Sequence, residues 1–297
     1  MQTNAVQVRN LRKTYADRVV VDDVSFDIGQ GETFALLGPN GAGKSTTVEI
    51  LEGYRRRSSG VVSVLGADPG TAGLDWKARI GIVLQATGQG GLVTVREQLR
   101  QFAGLYPRPR DVEEILAAVG LEAQAKTRIS KLSGGQQRRV DVALGIIGHP
   151  ELLFLDEPTT GFDPHARREF WELIRRLKRE GTTILLTTHY LDEAAQLADR
   201  VAVIAAGKLR AIGAVDEIGG EEAREPIVRW IEDGAMREQR SRDPFDFATS
   251  LAERLGGAPA GLEIVRPSLE DVYLGLVAEA SVETAAASGA LVEEATR

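Results

Sequence analysis

The stretch Gly38-Pro39-Asn40-Gly41-Ala42-Gly43-Lys44-Ser45, with Thr46 behind it, limits what this 297-residue chain can fold into more than any other feature. It lies between a short apolar run, Thr33 to Leu37, and a helically patterned segment, Ser45 to Glu52. An apolar run this short, stopped by a glycine, predicts a buried strand. Strand, glycine-rich turn and helix in that order make an anion cradle. Small residues let backbone N–H groups curl around phosphate oxygens, and the helix aims its positive end at the same point. Lys44 can then reach the β and γ phosphates of a nucleotide, and the Ser45 hydroxyl can ligate Mg²⁺.

The rest of the chain supplies the sheet around that turn. Residues 6–11 and 19–28 interleave Val and Ile with polar residues, as strands of an antiparallel edge do. Residues 61–65, 80–84, 152–155 and 183–187 read as further strands, and 201–204 with 208–212 as a hairpin. Residues 95–105, 111–119 and 191–198 read as helices. Phe170, Leu173, Ile174 and Leu177 give another helix one apolar face, begun by Asp163-Pro164 and ended by Gly181. Strand–helix alternation predicts an α/β fold with a mostly parallel sheet. A Gly- and Glu-rich stretch around 214–225, closed by Pro226, predicts a linker to a small second unit over 226–278. The Ala-, Glu-, Ser- and Thr-rich end, 279–297, is expected to be a frayed or disordered tail.

Composition narrows the function. The net charge of -7 disfavours broad nucleic-acid binding, so no nucleic-acid partner is expected. The absence of cysteine excludes disulfides and a thiolate nucleophile. The start lacks a signal-peptide pattern, and no window approaches the roughly 20 apolar residues that span a bilayer. A cytoplasmic chain that reaches any membrane through a partner is the expectation.

A second apolar strand, Leu152 to Leu155, ends in Asp156-Glu157-Pro158. Neighbouring strand side chains point to opposite sides, so these two carboxylates can divide the work. One can face Mg²⁺ and the other a water near the γ phosphate. Leu132-Ser133-Gly134-Gly135-Gln136 opens a helix with Ser133 as natural N-cap and two glycines that expose N–H groups. His149 and His165 read as structural.

Taken together, the phosphate loop, the Leu132–Gln136 segment, the acidic strand end, Gly161-Phe162-Asp163-Pro164 and His189 after a strand resemble the ATP-binding cassette family, the ATPase domains of ABC transporters. The resemblance covers residues 4–215 and implies a P-loop NTPase-like cassette: a mostly parallel sheet, an antiparallel N-terminal β part, and a helical subdomain over about 86–148. It implies ATP and Mg²⁺ as ligands. It assigns adenine stacking to Tyr15, phosphate binding to Gly38 through Thr46, and Mg²⁺ to Ser45, Gln85 and Asp156. Glu157 would polarise the attacking water, Lys44 hold the phosphates and His189 contact the γ phosphate. Ser133, Gly134, Gly135 and Gln136 would clamp the nucleotide of a second, head-to-tail cassette (two identical chains in the simplest case), and Asp163 would communicate across that dimer. The segment Pro267-Ser-Leu-Glu-Asp271-Val-Tyr273 is similar to the closing segment of the drug-resistance-type exporter group. That likeness implies efflux of a drug, antibiotic, lipid or polysaccharide through a separate integral membrane permease, from a position on the cytoplasmic face of the membrane. The competing expectation is a regulatory, nucleic-acid- or ribosome-associated cassette with no transport role.

Overall fold

A computed structural model of the protein describes residues 4–84 and 92–294, from 283 onward as backbone alone. It divides into two units, Met1–Ile212 and Gly213–Arg297. The first unit begins with β1 (Asn4–Tyr15), β2 (Arg18–Gly29), β3 (Thr33–Leu37), α1 (Lys44–Leu51), β4 (Ser59–Val64), α2 (Leu74–Lys77) and β5 (Ile80–Val83). It continues through α3 (Val95–Ala103), α4 (Val112–Ala118), α5 (Gly134–Ile146), β6 (Leu152–Asp156) and α6 (Pro164–Arg179). It closes with β7 (Thr183–Thr187), α7 (Leu191–Leu197), β8 (Arg200–Ala205) and most of β9 (Lys208–Ala214), which crosses the boundary after Ile212.

Two sheets share one core. β1 pairs antiparallel with β2 on one side and β4 on the other. Its inward residues Val6, Val8 and Leu11 alternate with exposed ones, as a sheet with one wet face requires. The larger sheet has the order β5-β6-β7-β3-β8-β9. The β5–β6, β6–β7, β7–β3 and β3–β8 pairs are parallel. All five residues of β3 and of β7 are buried, which is why these strands are unbroken apolar runs and not alternating ones. Phe26 from the small sheet stacks on Phe34 from the large one, with ring centroids 5.4 Å apart. β8 and β9 are joined by Ala206-Gly207, both at positive φ, the turn geometry that matches hairpin twist.

Because β3, β6 and β7 run parallel, their carboxyl ends come together, and Asp156 pairs in register with Thr187. Ligands of open α/β sheets bind at that edge. The helices α3, α4 and α5, all within the expected 86–148 segment, pack on one another.

The second unit contains α8 (Gly220–Arg224), β10 (Ile227–Glu232), β11 (Ala235–Arg240), α9 (Pro244–Leu255), β12 (Ala260–Val265) and α10 (Leu269–Glu294). Its sheet has the order β11-β10-β12, and its small core joins Val228, Trp230 and Leu251 to Phe247 and Ile264. The unit starts at Gly213, so α8 falls inside the segment read as a linker. The backbone of α10 runs on to Glu294 through the stretch expected to fray; alanine-rich sequence has high helix propensity even without an apolar face.

Candidate nucleotide site

The glycine-rich turn is shaped by close backbone packing. A Cβ on Gly38 would stand 2.1 Å from the Ile204 carbonyl oxygen. Gly43, at φ +104, would collide with the Val20 carbonyl at 2.7 Å. Only glycine fits either position, so the turn is pressed onto β8 on one side and β2 on the other. Lys44 opens α1 with 8% exposure and folds back over the turn. Its Nζ donates to the carbonyls of Gly38 (2.6 Å) and Pro39 (3.1 Å). Burial pulls the Lys44 pKa down, against the opposing charges of Glu157 and Asp156. The loop is therefore held closed by the ammonium that an incoming phosphate would recruit.

The acidic pair faces this turn. Asp156 ends β6 half-buried, and the Thr187 hydroxyl donates to its Oδ1. Glu157 takes φ +44, a left-handed conformation that costs a non-glycine residue on the order of 1 kcal/mol and persists only when its neighbours enforce it. The Glu157 N–H donates to the Thr187 carbonyl at 3.0 Å, which is one such restraint. The carboxylate then stands 3.4 Å from His189 Nδ1, and the Thr160 hydroxyl donates to the same Oε2 at 3.4 Å. A cleft of ≈ 620 Å³ is lined by Asn40 through Thr46, Asp156, Glu157 and His189. Val20 completes it; as one apolar residue of β2 it carries no motif that marks it for the site.

Other residues read as functional lie elsewhere. Tyr15 ends β1 with its ring near Lys13 Nζ (4.7 Å) and Arg55 Cζ (5.4 Å), and is not among the cleft-lining residues. Ser133 and Gln136 form a reciprocal cap at the start of α5: the Ser133 Oγ accepts from the Gln136 N–H (3.3 Å), and Gln136 Oε1 accepts from the Ser133 N–H (3.1 Å). A Cβ on Gly134 or Gly135 would meet nothing, so the face of that helix start is open. Asp163 caps α6 by accepting from His165 N–H (2.8 Å) and Ala166 N–H (2.9 Å). Those backbone bonds hold its carboxyl below the usual range, the Ala166 bond foremost. Gln85 lies outside the described residues.

The similarities to known proteins agree with this geometry. The family model for ABC transporters matches residues 21–160. The chain is 39% identical over 295 residues to the Nod factor export ATP-binding protein I of Rhizobium johnstonii, covering 92% of this chain and 94% of that one. The chain belongs to the ABC transporter family. It is an ATP-binding, ATP-hydrolysing cassette of that family. The corresponding protein of Sinorhizobium fredii is 40% identical, over 92% of this chain and 85% of its own. A solved ATP-binding subunit of an ABC transporter shares the fold at a TM-score of 0.69 and 24% identity, over 92% of this chain and 99% of that one.

Two buried charged groups beside the site belong to none of the motifs. Arg138, on α5, lies behind the acidic pair with 8% exposure. Glu52, equally enclosed at the end of α1, is pushed up to about 8 by burial first, then by the charges of Asp156 and Glu49. A charged residue beside the apolar Ile50-Leu51 pair is the signal that could have found Glu52.

Proposed function

We propose that the chain powers export through a separate integral membrane permease, as an Mg²⁺-dependent ATPase that works paired head to tail with a second cassette, in the simplest case its own copy. The observation that carries this reading is the convergence of Lys44, Asp156, Glu157 and His189 on one cleft beside the glycine-rich turn. Support for the direction of transport comes from relatives named for Nod factor export that match along nearly their whole length. Among the described residues no helix is long and apolar enough to cross a membrane, consistent with a subunit that meets the cytoplasmic face through a permease. The cargo belongs to the drug, antibiotic, lipid or polysaccharide classes.

Within the cleft the turn from Gly38 to Thr46 would wrap the phosphates, with Lys44 exchanging its carbonyl partners for phosphate oxygens. The Ser45 hydroxyl and Asp156 carboxylate are hard oxygen donors on the same cleft, the set Mg²⁺ prefers, and Gln85 would add a third. The metal, when bound, would neutralise charge on the β and γ phosphates. Glu157 would accept a proton from the water that attacks the γ phosphorus, while the bond to the bridging oxygen breaks and ADP departs. His189, 3.4 Å from Glu157, would steady the γ phosphate. Tyr15 would stack on adenine. Ser133 through Gln136 would close on the partner's nucleotide, with the open helix start offering N–H groups to its γ phosphate. Asp163 would relay the state of one site to the other. Residues 4–215 would form this ATPase domain with its helical subdomain at about 86–148, and 226–278 an accessory domain.

The test is Glu157→Gln. It should bind Mg-ATP as tightly as the native chain, hydrolyse it about 10²–10⁴-fold more slowly, and accumulate as an ATP-bound dimer in gel filtration. A variant that turns over near the native rate removes Glu157 from the chemistry.

A further inference from the structure

Arg138 sits behind the acidic pair, one and a half turns into the helix that Ser133 caps. Its guanidinium is spent on backbone. Nη2 donates to the Asp156 carbonyl at 2.7 Å, in the peptide that enters Glu157, and Nε to the Pro158 carbonyl at 3.1 Å, in the peptide that follows Pro158. Nη1 donates to the carbonyl of Leu84, at the end of β5, and faces the Asp141 carboxylate at 3.9 Å. Burial lowers its pKa, against the nearby charges of Asp141, Asp156, Glu193 and Glu157. A buried guanidinium is a costly way to fill space, since apolar residues of similar volume usually stabilise at least as well. What it offers is a rigid planar fork that fixes several acceptors at set angles, which an ammonium on a flexible stem does not.

Those acceptors surround the most strained residue of the site. Glu157 holds a left-handed backbone, and a local distortion of that kind needs restraint on both sides. The Thr187 carbonyl restrains its N–H. Arg138 restrains the peptide that enters Glu157 and the one that follows Pro158.

We propose that Arg138 is a positioning residue for ATP hydrolysis: by gripping the carbonyls of Leu84, Asp156 and Pro158 it fixes the direction of the Glu157 carboxylate and ties the Ser133-capped helix to the acidic strand end of the same chain. Any shift of α5, as when its start meets the partner's nucleotide, is then passed to Glu157 through one side chain. This rests on the reading of Glu157 as the hydrolytic carboxylate.

Arg138→Lys and Arg138→Met test it, with phosphate release, Mg-ATP titration and thermal melting measured on the full chain. Both variants should bind Mg-ATP within about threefold of native affinity and lose about a hundredfold in kcat, because a misplacement near 1 Å costs that much. The Met variant should melt no lower than the Lys variant. Arg138→Lys in a Glu157→Gln chain should slow the residual hydrolysis by less than about threefold, since residues that act as a unit do not multiply their losses. Three results would overturn the proposal: native kcat in either variant, loss of fold and affinity together in both, or a full hundredfold further loss in the double variant. A native rate for Glu157→Gln alone would instead strike the reading beneath it.

Discussion

Every residue of β3 and β7 is buried, whereas every residue of β11 is exposed, and β12 is exposed along most of its length. The first pair lies side by side inside the large sheet, β3 leading into the phosphate turn; the second pair forms the edges of the C-terminal sheet. The cassette core spans two sheets and includes Phe34, Leu36, Phe154 and Leu185, while the C-terminal core rests on Val228, Trp230 and Leu251 with two partly buried neighbours. Rigid support is concentrated where backbone groups must meet phosphate within tenths of an ångström. The C-terminal unit has fewer buried apolar contacts, so its local opening should be easier than that of the cassette.

Substitutions of matched size in the two cores sharpen this contrast most. Phe34→Ala removes the ring stacked on Phe26 and should cost the cassette about 3–5 kcal/mol, lowering its melting temperature and the protection conferred by Mg-ATP. Trp230→Ala removes the ring that packs near Phe247 and donates to Glu232 at 2.8 Å. A similar loss of about 3–5 kcal/mol should here open residues 213–297 to hydrogen exchange while ATP hydrolysis stays within about twofold of native. If hydrolysis collapses with Trp230→Ala, the two units are not separable in this way.

A smaller effect depends on pH. The folded chain holds the Glu52 proton up to about pH 8, whereas an ordinary carboxyl releases it near 4.5. Folded protein thus binds more protons across that interval, and stability must fall as pH rises through it. Glu52→Gln should remove the fall, raising stability at pH 8 by on the order of 3 kcal/mol and changing little at pH 4.5. Equal melting shifts at both pH values would contradict the burial and charge argument for Glu52. Smallest should be Asp163→Ala, which strips two N–H groups at the start of α6 of their acceptor and should cost about 1 kcal/mol in a denaturant titration.

The same contrast governs how much the sequence discloses. Gly38, Gly43 and Lys44 are legible because the turn admits no other residue at two of those places and the chemistry needs an ammonium at the third. β3 and β7 match their expected bounds, and β6 comes within a residue of its own, since continuous burial leaves a nearly unmixed apolar run. In the C-terminal unit β11 reads Ala-Met-Arg-Glu-Gln-Arg, exposed throughout, so no alternation marks it as a strand; it is fixed by pairing with β10. Arg138 was hidden for another reason. Its three acceptors are backbone carbonyls from two distant strand ends, and carbonyls leave no trace in residue identity. Tyr15 and the Ser133–Gln136 segment lie outside the cleft lining of a single chain, and only their motif context marks them in the sequence.

The cleft itself is tested most directly by calorimetric titration of Mg-ATP into the native chain and into Lys44→Ala. The native chain should bind at micromolar or tighter concentration, and the variant should lose about a hundredfold or more once the charged hydrogen bonds to phosphate are gone. Equal affinity in the two proteins, with both folded, would mean that nucleotide does not sit against the turn that begins at Gly38.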